Sequence, residues 1–266
     1  MNDLQATAPA ASPLAAFRND CMAGRRVFVT GASSGLGRAA AVALAQAGAT
    51  LIMTGRSEER LEQTRGMLAG EGHAIYPAEL SDADQTADLV KAAAKEHGPL
   101  DGVFHSAGVF LVLPAKMTKQ RHIDEVFGAS VPGAYGIARG VSQRGVMNDG
   151  GSVVLMSSVA GARANAGLTA YAGAKAAILG LNMALAAELA PRRIRVNAIV
   201  AGTVETEMHL RMQASASGDQ TDANAAKHLL GYGAPDDIAG VVMFLLSDAS
   251  RWVTGTAMTV DGGYLA

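Results

Sequence analysis

With 266 residues, 49% of them hydrophobic and 17% charged, the chain is long enough to bury one large core and too apolar to remain disordered. A formal net charge of −2 with no basic run argues against non-specific binding to nucleic acid or to an acidic membrane surface. The single cysteine, Cys21, rules out an internal disulfide, and no Cys/His cluster has the spacing of a zinc site, so no metal is expected and a reducing cytoplasm is the expected compartment.

The first 24 residues, "MNDLQATAPAASPLAAFRNDCMAG", carry Asp3 and two prolines and lack a sustained apolar core. They do not read as a secretory signal, and a loose extension over 1–24 is expected ahead of a single domain, 25–266. From there β-rich runs recur: "RVFVT" at 26–30, "TLIMT" at 50–54, "HAIYPAE" at 73–79, "LDGVFHSAG" at 100–108, "GSVVLMSS" at 151–158, "RIRVNAIV" at 193–200 and "GTAMTVDGG" at 255–263. Between the early runs lie "LGRAAAVALAQAG", "SEERLEQTRGMLAG" and "SDADQTADLVKAAAKEHG", helical in pattern and each closed by glycine. This alternation predicts an α/β fold, a doubly wound parallel sheet of seven strands with helices on both faces, whose ligands bind at the carboxyl ends of the strands. Gln, Gly or charge interrupts every apolar run before the ~18 residues a membrane span needs, so no membrane is expected as a partner.

The loop after the first strand, "TGASSGLGRAAAVAL", leads Gly31, Gly35 and Gly37 straight into a helix. Glycines let a ligand approach the backbone, and a helix N-terminus offers unpaired N–H groups and a positive dipole end, which suits a pyrophosphate. Ser33 and Ser34 add donors. After the second strand, "MTGRSEER" has no carboxylate at the turn to grip a ribose 2′-hydroxyl; Gly55 leaves room, and Arg56 supplies a planar cation for a 2′-phosphate. NADP(H) is the expected cofactor, with NAD(H) as the alternative and a solvated helix-start role as the competing reading of Arg56.

In "LTAYAGAKAAILGLNMALAAELA" a helix sets Tyr171 and Lys175 on one face, their Cβ atoms roughly 6 Å apart. A cation about 4 Å from a phenol is worth roughly 4 kcal/mol at an effective dielectric of about 20, or about three pKa units. The pair is therefore expected to bring the phenol down from ~10 toward neutrality, where a general acid or base works best. Taken alone, a packed tyrosine beside a snorkelling lysine is the simpler reading. The charges of this helix are confined to Lys175 and Glu188, so Ala172, Ala176, Leu179 and Met183 are expected to need a cover beyond the sheet, provided by self-association.

Taken in order, "TGASSGLG", "SAG", the "SS" ending at Ser158, "YAGAK" and "DGGY" resemble the short-chain dehydrogenase/reductase family in its single-domain branch. The likeness is nearest to 3-oxoacyl-carrier-protein reductases and related oxidoreductases of bacterial polysaccharide pathways, and it runs from about Arg25 to Tyr264. Ser158 stands thirteen residues before Tyr171, the family's spacing for its substrate-binding serine. The resemblance implies a Rossmann-type fold and hydride exchange between NADP(H) and a small carbonyl or secondary alcohol, such as a 3-oxoacyl thioester or a sugar-derived substrate. In that chemistry Tyr171 gives or takes the proton, Lys175 lowers its pKa and binds the nicotinamide ribose, and Ser158 bonds the substrate oxygen. Cofactor contacts are implied at Gly31, Ser33, Ser34, Gly35, Leu36 and Gly37 in the first loop, and at Arg56, Glu79 and Leu80 on the adenine side. Ser106, Ala107, Gly108, Gly202, Val204 and Thr206 complete the implied set, and a homodimer or homotetramer built on the helix 169–190 is implied as well.

Four positions depart from the family pattern. Where the family has "NNAG" stand His105, Ser106, Ala107 and Gly108, so the turn is kept and two amides are lost; His105 reads as a structural substitute or as an extra acid–base group. The family's catalytic asparagine aligns with Ser130 in "GASVPGAYG". There Pro132 and Gly133 predict a break that turns carbonyls toward Lys175 to hold a relay water, with the Ser130 hydroxyl as auxiliary partner. Ala201-Gly202 replaces proline-glycine and leaves the backbone less constrained, and Glu79 replaces an aspartate. Two other readings remain open. One is a catalytically silent dinucleotide-binding sensor or scaffold. The other is a sugar-nucleotide epimerase or dehydratase, which normally has another glycine spacing and a sizeable domain where few residues follow "DGG" here. Substrate choice is expected to reside in 203–232, placed for a mobile lid, and Arg163 is placed either to meet an anion or as a solvated loop residue.

Overall fold

The Val-, Ile- and Leu-rich runs become strands, the central ones buried on both faces as a parallel sheet covered by helices requires and the two edge ones partly exposed. They are β1 (Arg26–Thr30), β2 (Thr50–Gly55), β3 (Ala74–Pro77), β4 (Leu100–His105), β5 (Met147–Ser158), β6 (Arg195–Ala201) and β7 (Ala257–Val260). All pair in parallel, in the order β3-β2-β1-β4-β5-β6-β7, in a computed structural model that describes residues 12–163, 165–210 and 225–266. The expected fold class is the observed one, and β5 starts at Met147, ahead of the expected Gly151. The chain winds outward from β1 to β3, then returns to β4 on the other side of β1. The crevice above β1 and β4 is therefore the switch point where an open α/β sheet takes its ligand.

The helices are α1 (Gly35–Gln46), α2 (Glu58–Arg65), α3 (Ala83–His97), α4 (Gln120–Gly128), α5 (Val131–Ser142), α6 (Val159–Ala162), α7 (Thr169–Leu189) and α8 (Pro235–Leu246). On β1, Val27 and Val29 point into the core shared with α1 and α8, and Phe28 into the core shared with α3, α5 and α7. Ala40, Ala41 and Ala43 line the buried side of α1, so that helix lies close on the sheet. The helix α2 stops at Arg65, short of the expected Gly70, with Gly66 as its C-cap; Leu61 and Thr64 are its buried residues, and Leu68 packs on the core from the turn that follows.

Two expectations need correction here. The extension is not loose from Ser12 onward: Ser12 Oγ donates to Asp236 at 2.7 Å, a 3₁₀ turn, Pro13–Ala16, lies on α8, and buried Met22 donates its N–H to Ala47 O at 2.9 Å. Leu14, Phe17 and Met22, scattered among polar residues, supply the apolar surface that anchors it; residues 1–11 lie outside the described residues. An apolar segment of membrane-spanning length also exists after all, Thr169–Arg192, 24 residues in which alanine and leucine dilute the few charges. It packs on β5 and β6 with Ala174, Lys175, Ile178 and Asn182 buried, as a core helix does.

Candidate active site

The phosphate-side wall is made of backbone. Gly31, at the end of β1, has a φ of 65° and backs onto the 106–107 turn, where a Cβ would stand 3.0 Å from Ala107 N. Gly37 is tighter, since a Cβ there would lie 2.3 Å from Gly31 O. The first N–H groups of α1, over Gly35, Leu36 and Gly37, have no helical acceptor, and Ser34 caps the helix without a side-chain bond. Arg38 braces the loop, Nη2 donating to Ser33 O at 2.6 Å and Nε to Thr64 Oγ1 at 3.0 Å. A pyrophosphate fits this side-chain-free cradle. At the end of β2 a Cβ on Gly55 would come 3.2 Å from Ser33 Oγ, so Gly55 makes room for the loop as well as for a ligand. Arg56 is exposed with no ion pair among the described residues, Glu79 is exposed, and Leu80 is buried under them.

Between the walls runs the turn after β4. Thr30 Oγ1 accepts the N–H groups of Ser106 (3.1 Å) and Ala107 (3.2 Å) and bonds His105 Nδ1 at 2.8 Å. Gly108 faces Lys175: a Cβ there would stand 3.2 Å from Nζ and 3.9 Å from Ser130 Cβ.

The opposite wall is made of side chains. Ser158 ends β5, and its Oγ accepts the N–H of Ala160 at 3.2 Å on the side of the Tyr171 phenol. Ser157 turns inward, its Oγ donating to Lys175 O at 2.8 Å, and a Cβ on Gly161 would lie 2.9 Å from Lys175 C, so α7 is held tight against the strand end. Lys175 Nζ donates to Met156 O at 3.1 Å and lies 5.7 Å from the Tyr171 ring centroid, while Phe110 meets that ring edge-on at 4.9 Å. Ser158, Tyr171 and Lys175 are thus brought together.

The electrostatics differ from the expected pattern. Burial pushes the Tyr171 phenol up, with the Ser158 bond opposing, and burial pushes the Lys175 ammonium down to about 8. Lys175 does not depress the phenol, because burial leaves the lysine losing its proton at about 8, so it is neutral where the raised phenol titrates. His105 is pushed down to about 4, chiefly by burial, opposed by its Ser130 bond and reinforced by the Lys175 charge.

Ser130 also departs from expectation. The helix break falls at Ala129–Ser130, and Pro132 opens α5 in its first turn, where its missing N–H needs no partner. The Ser130 carbonyl is not turned free toward Lys175; it accepts from Ala134 N at 3.1 Å and bonds His105 Nε2 at 2.8 Å, while Ser130 Oγ donates to Val126 O at 3.3 Å. Nor is the backbone slack at Ala201, which is buried and paired to both Ser158 and Val260; Gly202 follows, where a Cβ would lie 2.7 Å from Asp261 Cα.

The segment 203–232, expected to serve as a lid, has a closed neck: Val204 pairs with Gly233, Glu205 donates its N–H to Gly233 O at 2.9 Å, and Gly233 donates to Thr203 O at 3.1 Å. Thr206 then lies over the cradle, its Cβ 3.8 Å from where a Cβ of Gly35 would be. Of this segment, 211–224 lies outside the described residues. Arg163 is exposed. Residues in contact with the candidate site that sequence reasoning passed over are Thr30, Ser157 and Phe110; beyond them Asn165 Nδ2 donates to the Tyr264 hydroxyl at 2.7 Å. Ser157 was signalled by the "SS" pair, since neighbouring strand residues face opposite sides; Phe110 left no sequence signal.

The chain is similar to known proteins over most of its length. A family profile described as Enoyl-(Acyl carrier protein) reductase matches residues 31–265. A 3-oxoacyl-[acyl-carrier-protein] reductase of Thermotoga maritima is 33% identical over 242 residues, 90% of this chain and 97% of that one. D-threitol dehydrogenase of Mycolicibacterium smegmatis is 32% identical over 253 residues, 93% of this chain and 94% of that one. A short-chain dehydrogenase from Burkholderia cenocepacia, solved in complex with NADP, superposes with a TM-score of 0.83 at 30% identity, covering 92% of this chain and 99% of that one.

Proposed function

The chain belongs to the short-chain dehydrogenase/reductase family and is an NAD(P)-dependent oxidoreductase, and on that premise we propose that it interconverts a carbonyl and a secondary alcohol, preferring NADP(H), through Ser158, Tyr171 and Lys175. The observation that carries this reading is the meeting of those three side chains beside a glycine cradle at the carboxyl ends of the central strands. The nicotinamide, when bound, supplies or takes the hydride. Tyr171 holds the proton at its phenol oxygen and gives it to the substrate oxygen in reduction, taking it back in oxidation. Ser158 orients that oxygen, with its own hydroxyl fixed by the Ala160 N–H. Lys175 has three donors and spends one on Met156 O, leaving two for ribose hydroxyls.

NADP preference rests on exposed Arg56, which has no ion pair among the described residues, and on the lack of a carboxylate at Gly55. Gly55→Asp moves preference toward NAD, at some loss of affinity because its Cβ presses on Ser33. Tighter binding of NADH than NADPH by the natural chain sinks this point. The substrate classes supported by the named relatives are 3-oxoacyl thioesters and polyol- or sugar-derived carbonyls. A carbonyl panel followed by NADPH absorbance tests the reading; NADPH binding without turnover of any carbonyl in the panel replaces it with the silent-binder reading. Along α7, Gly173, Ala176, Gly180 and Met183 form an exposed small-residue face, with Ala172 and Leu179 half-buried beside it. That face supports a homodimer, paired further into a homotetramer, and a monodisperse monomer at micromolar concentration by light scattering contradicts it. The lone cysteine supports a reducing cytoplasm.

A further inference from the structure

His105 is almost fully buried, with a hydrogen bond at each ring nitrogen. The tautomer follows from counting protons. Thr30 Oγ1 already accepts two N–H groups, from Ser106 and Ala107, so its single proton goes to His105 Nδ1. The remaining ring proton is then on Nε2 and is donated to the Ser130 carbonyl. With Ala134 N on its other lone pair, that carbonyl is saturated. The fold has made space for this arrangement: a Cβ on Gly133 would stand 3.1 Å from His105 Cε1 and 3.0 Å from Leu80 Cβ. Ser130 in turn shares with Lys175 Nζ the wall that faces Gly108.

We propose that His105 is a positioning residue of the hydride-transfer site: as a neutral strut from Thr30 to the Ser130 carbonyl it locks the α4–α5 junction beside Lys175, so position 130 acts through its backbone and its side chain is exchangeable. The inference rests on the reading of Ser158, Tyr171 and Lys175 as the reacting set. His105 takes no proton from the substrate; it keeps the junction closed over the lysine, and that closure sustains the desolvation that holds Lys175 near 8. The titratable groups facing Lys175 are Tyr171 on its own helix and His105 from β4.

The test uses the full chain with NADPH and a substrate from the carbonyl panel, comparing His105→Gln, His105→Leu and Ser130→Ala. Turnover is measured along with the pH dependence of NADPH binding by fluorescence and the melting temperature. Glutamine places a donor near Nε2, so H105Q keeps turnover within about threefold of the natural chain. Leucine cannot bond Ser130 or Thr30; H105L loses at least about tenfold in turnover, and its binding break moves up by about one pH unit as water reaches Lys175. Ser130→Ala stays within about threefold, in line with one neutral hydrogen bond. A folded H105L with natural turnover and an unmoved break overturns the proposal, as does an S130A as damaged as H105L. Where H105L melts too low to assay, Thr30→Val, which removes the donor to Nδ1, shifts the same break in the same direction, and an unmoved break in it counts against the proposal. Should Tyr171→Phe retain full turnover, the reading of the reacting set fails, whatever the His105 variants do. The binding break needs no turnover, so it decides on His105 even if no panel carbonyl reacts.

Discussion

Along β1, β2 and β3 the candidate site is shaped by backbone, whereas along β5 and α7 it is shaped by side chains. On the first side the polar groups are N–H donors of a helix start, and the residues that matter are glycines whose missing Cβ atoms leave gaps of 2.3 to 3.2 Å. On the second side Ser158 and Lys175 are held by hydrogen bonds to main-chain atoms of α6 and the strand end, and Tyr171 by its ring contacts with Phe110 and Lys175. The difference separates binding from chemistry: substitutions on the glycine side act by displacing the loop that forms the cradle, and those on the side-chain side remove a proton or its acceptor.

The sharpest way to break that separation is Tyr171→Phe. The ring and its edge-on contact with Phe110 at 4.9 Å remain, and only the phenolic hydroxyl, with its proton, is lost. Turnover is expected to fall roughly 10²–10⁴-fold, the range of a positioned acid or base, with NADPH affinity changed less than about threefold. Steady-state kinetics together with a binding titration check both halves of the claim; equal losses in the two would mean that this wall also carries binding.

Gly37→Ala is the mirror experiment. The new methyl falls on Gly31 O, a backbone atom, so the loop itself must move, at about 1–3 kcal/mol of overpacking, and NADPH affinity is expected to drop on the order of 10²-fold. Saturating NADPH then restores most of the turnover, because the side-chain wall is untouched. A fluorescence titration showing natural affinity would mean that the cradle is wider than its contacts indicate.

The two sides also differed in how much of them could be read from the sequence. Periodicity and glycine placement were enough for the seven strands and the cradle, because both are local: a β-rich run, a turn and a helix start lie within one stretch of chain. Tyr171 and Lys175 were legible through helical spacing, and Ser158 only through likeness to a family. The His105–Ser130 bond joins residues 25 apart in the chain and the Thr30–His105 bond residues 75 apart, and nothing in local pattern forecasts either. The sign of the Tyr171 shift was missed for a related reason. A pairwise Coulomb argument saw the cation at i+4 but not the burial that penalises both charged forms.

A pH experiment sharpens the contrast at the seam between the walls. In the folded chain His105 titrates at about 4, below the ordinary histidine range near 6.5, so between those values the unfolded chain binds a proton that the folded one does not. This part of the stability is complete above about pH 6.5 and is lost as pH falls through about 4, by up to about 3 kcal/mol. Lys175 stays protonated in both states over that window and adds no slope. Urea unfolding at pH 7 and pH 5 should show a larger drop for the natural chain than for His105→Gln, and equal drops would mean that the imidazole is accessible.

The smallest effect is expected where the two sides reach across to each other. Arg60, on α2, pairs with Glu207, in the helical turn 207–210 at the start of the lid, at 2.6 Å. Both side chains are partly exposed, at 33% and 47%, so the Coulomb gain is taken in a high dielectric and shared with the entropy of holding two long side chains. Arg60→Ala is expected to change unfolding stability by less than about 1 kcal/mol, and the change should shrink further at about 1 M salt, where charges are screened beyond about 3 Å. Neither wall depends on this ion pair: the cradle is braced by Arg38, and the lid neck is closed by the Val204–Gly233 bridge. A loss above about 2 kcal/mol that persists in high salt would show that the walls are mechanically joined through α2 and the lid, and would end the separation of binding from chemistry.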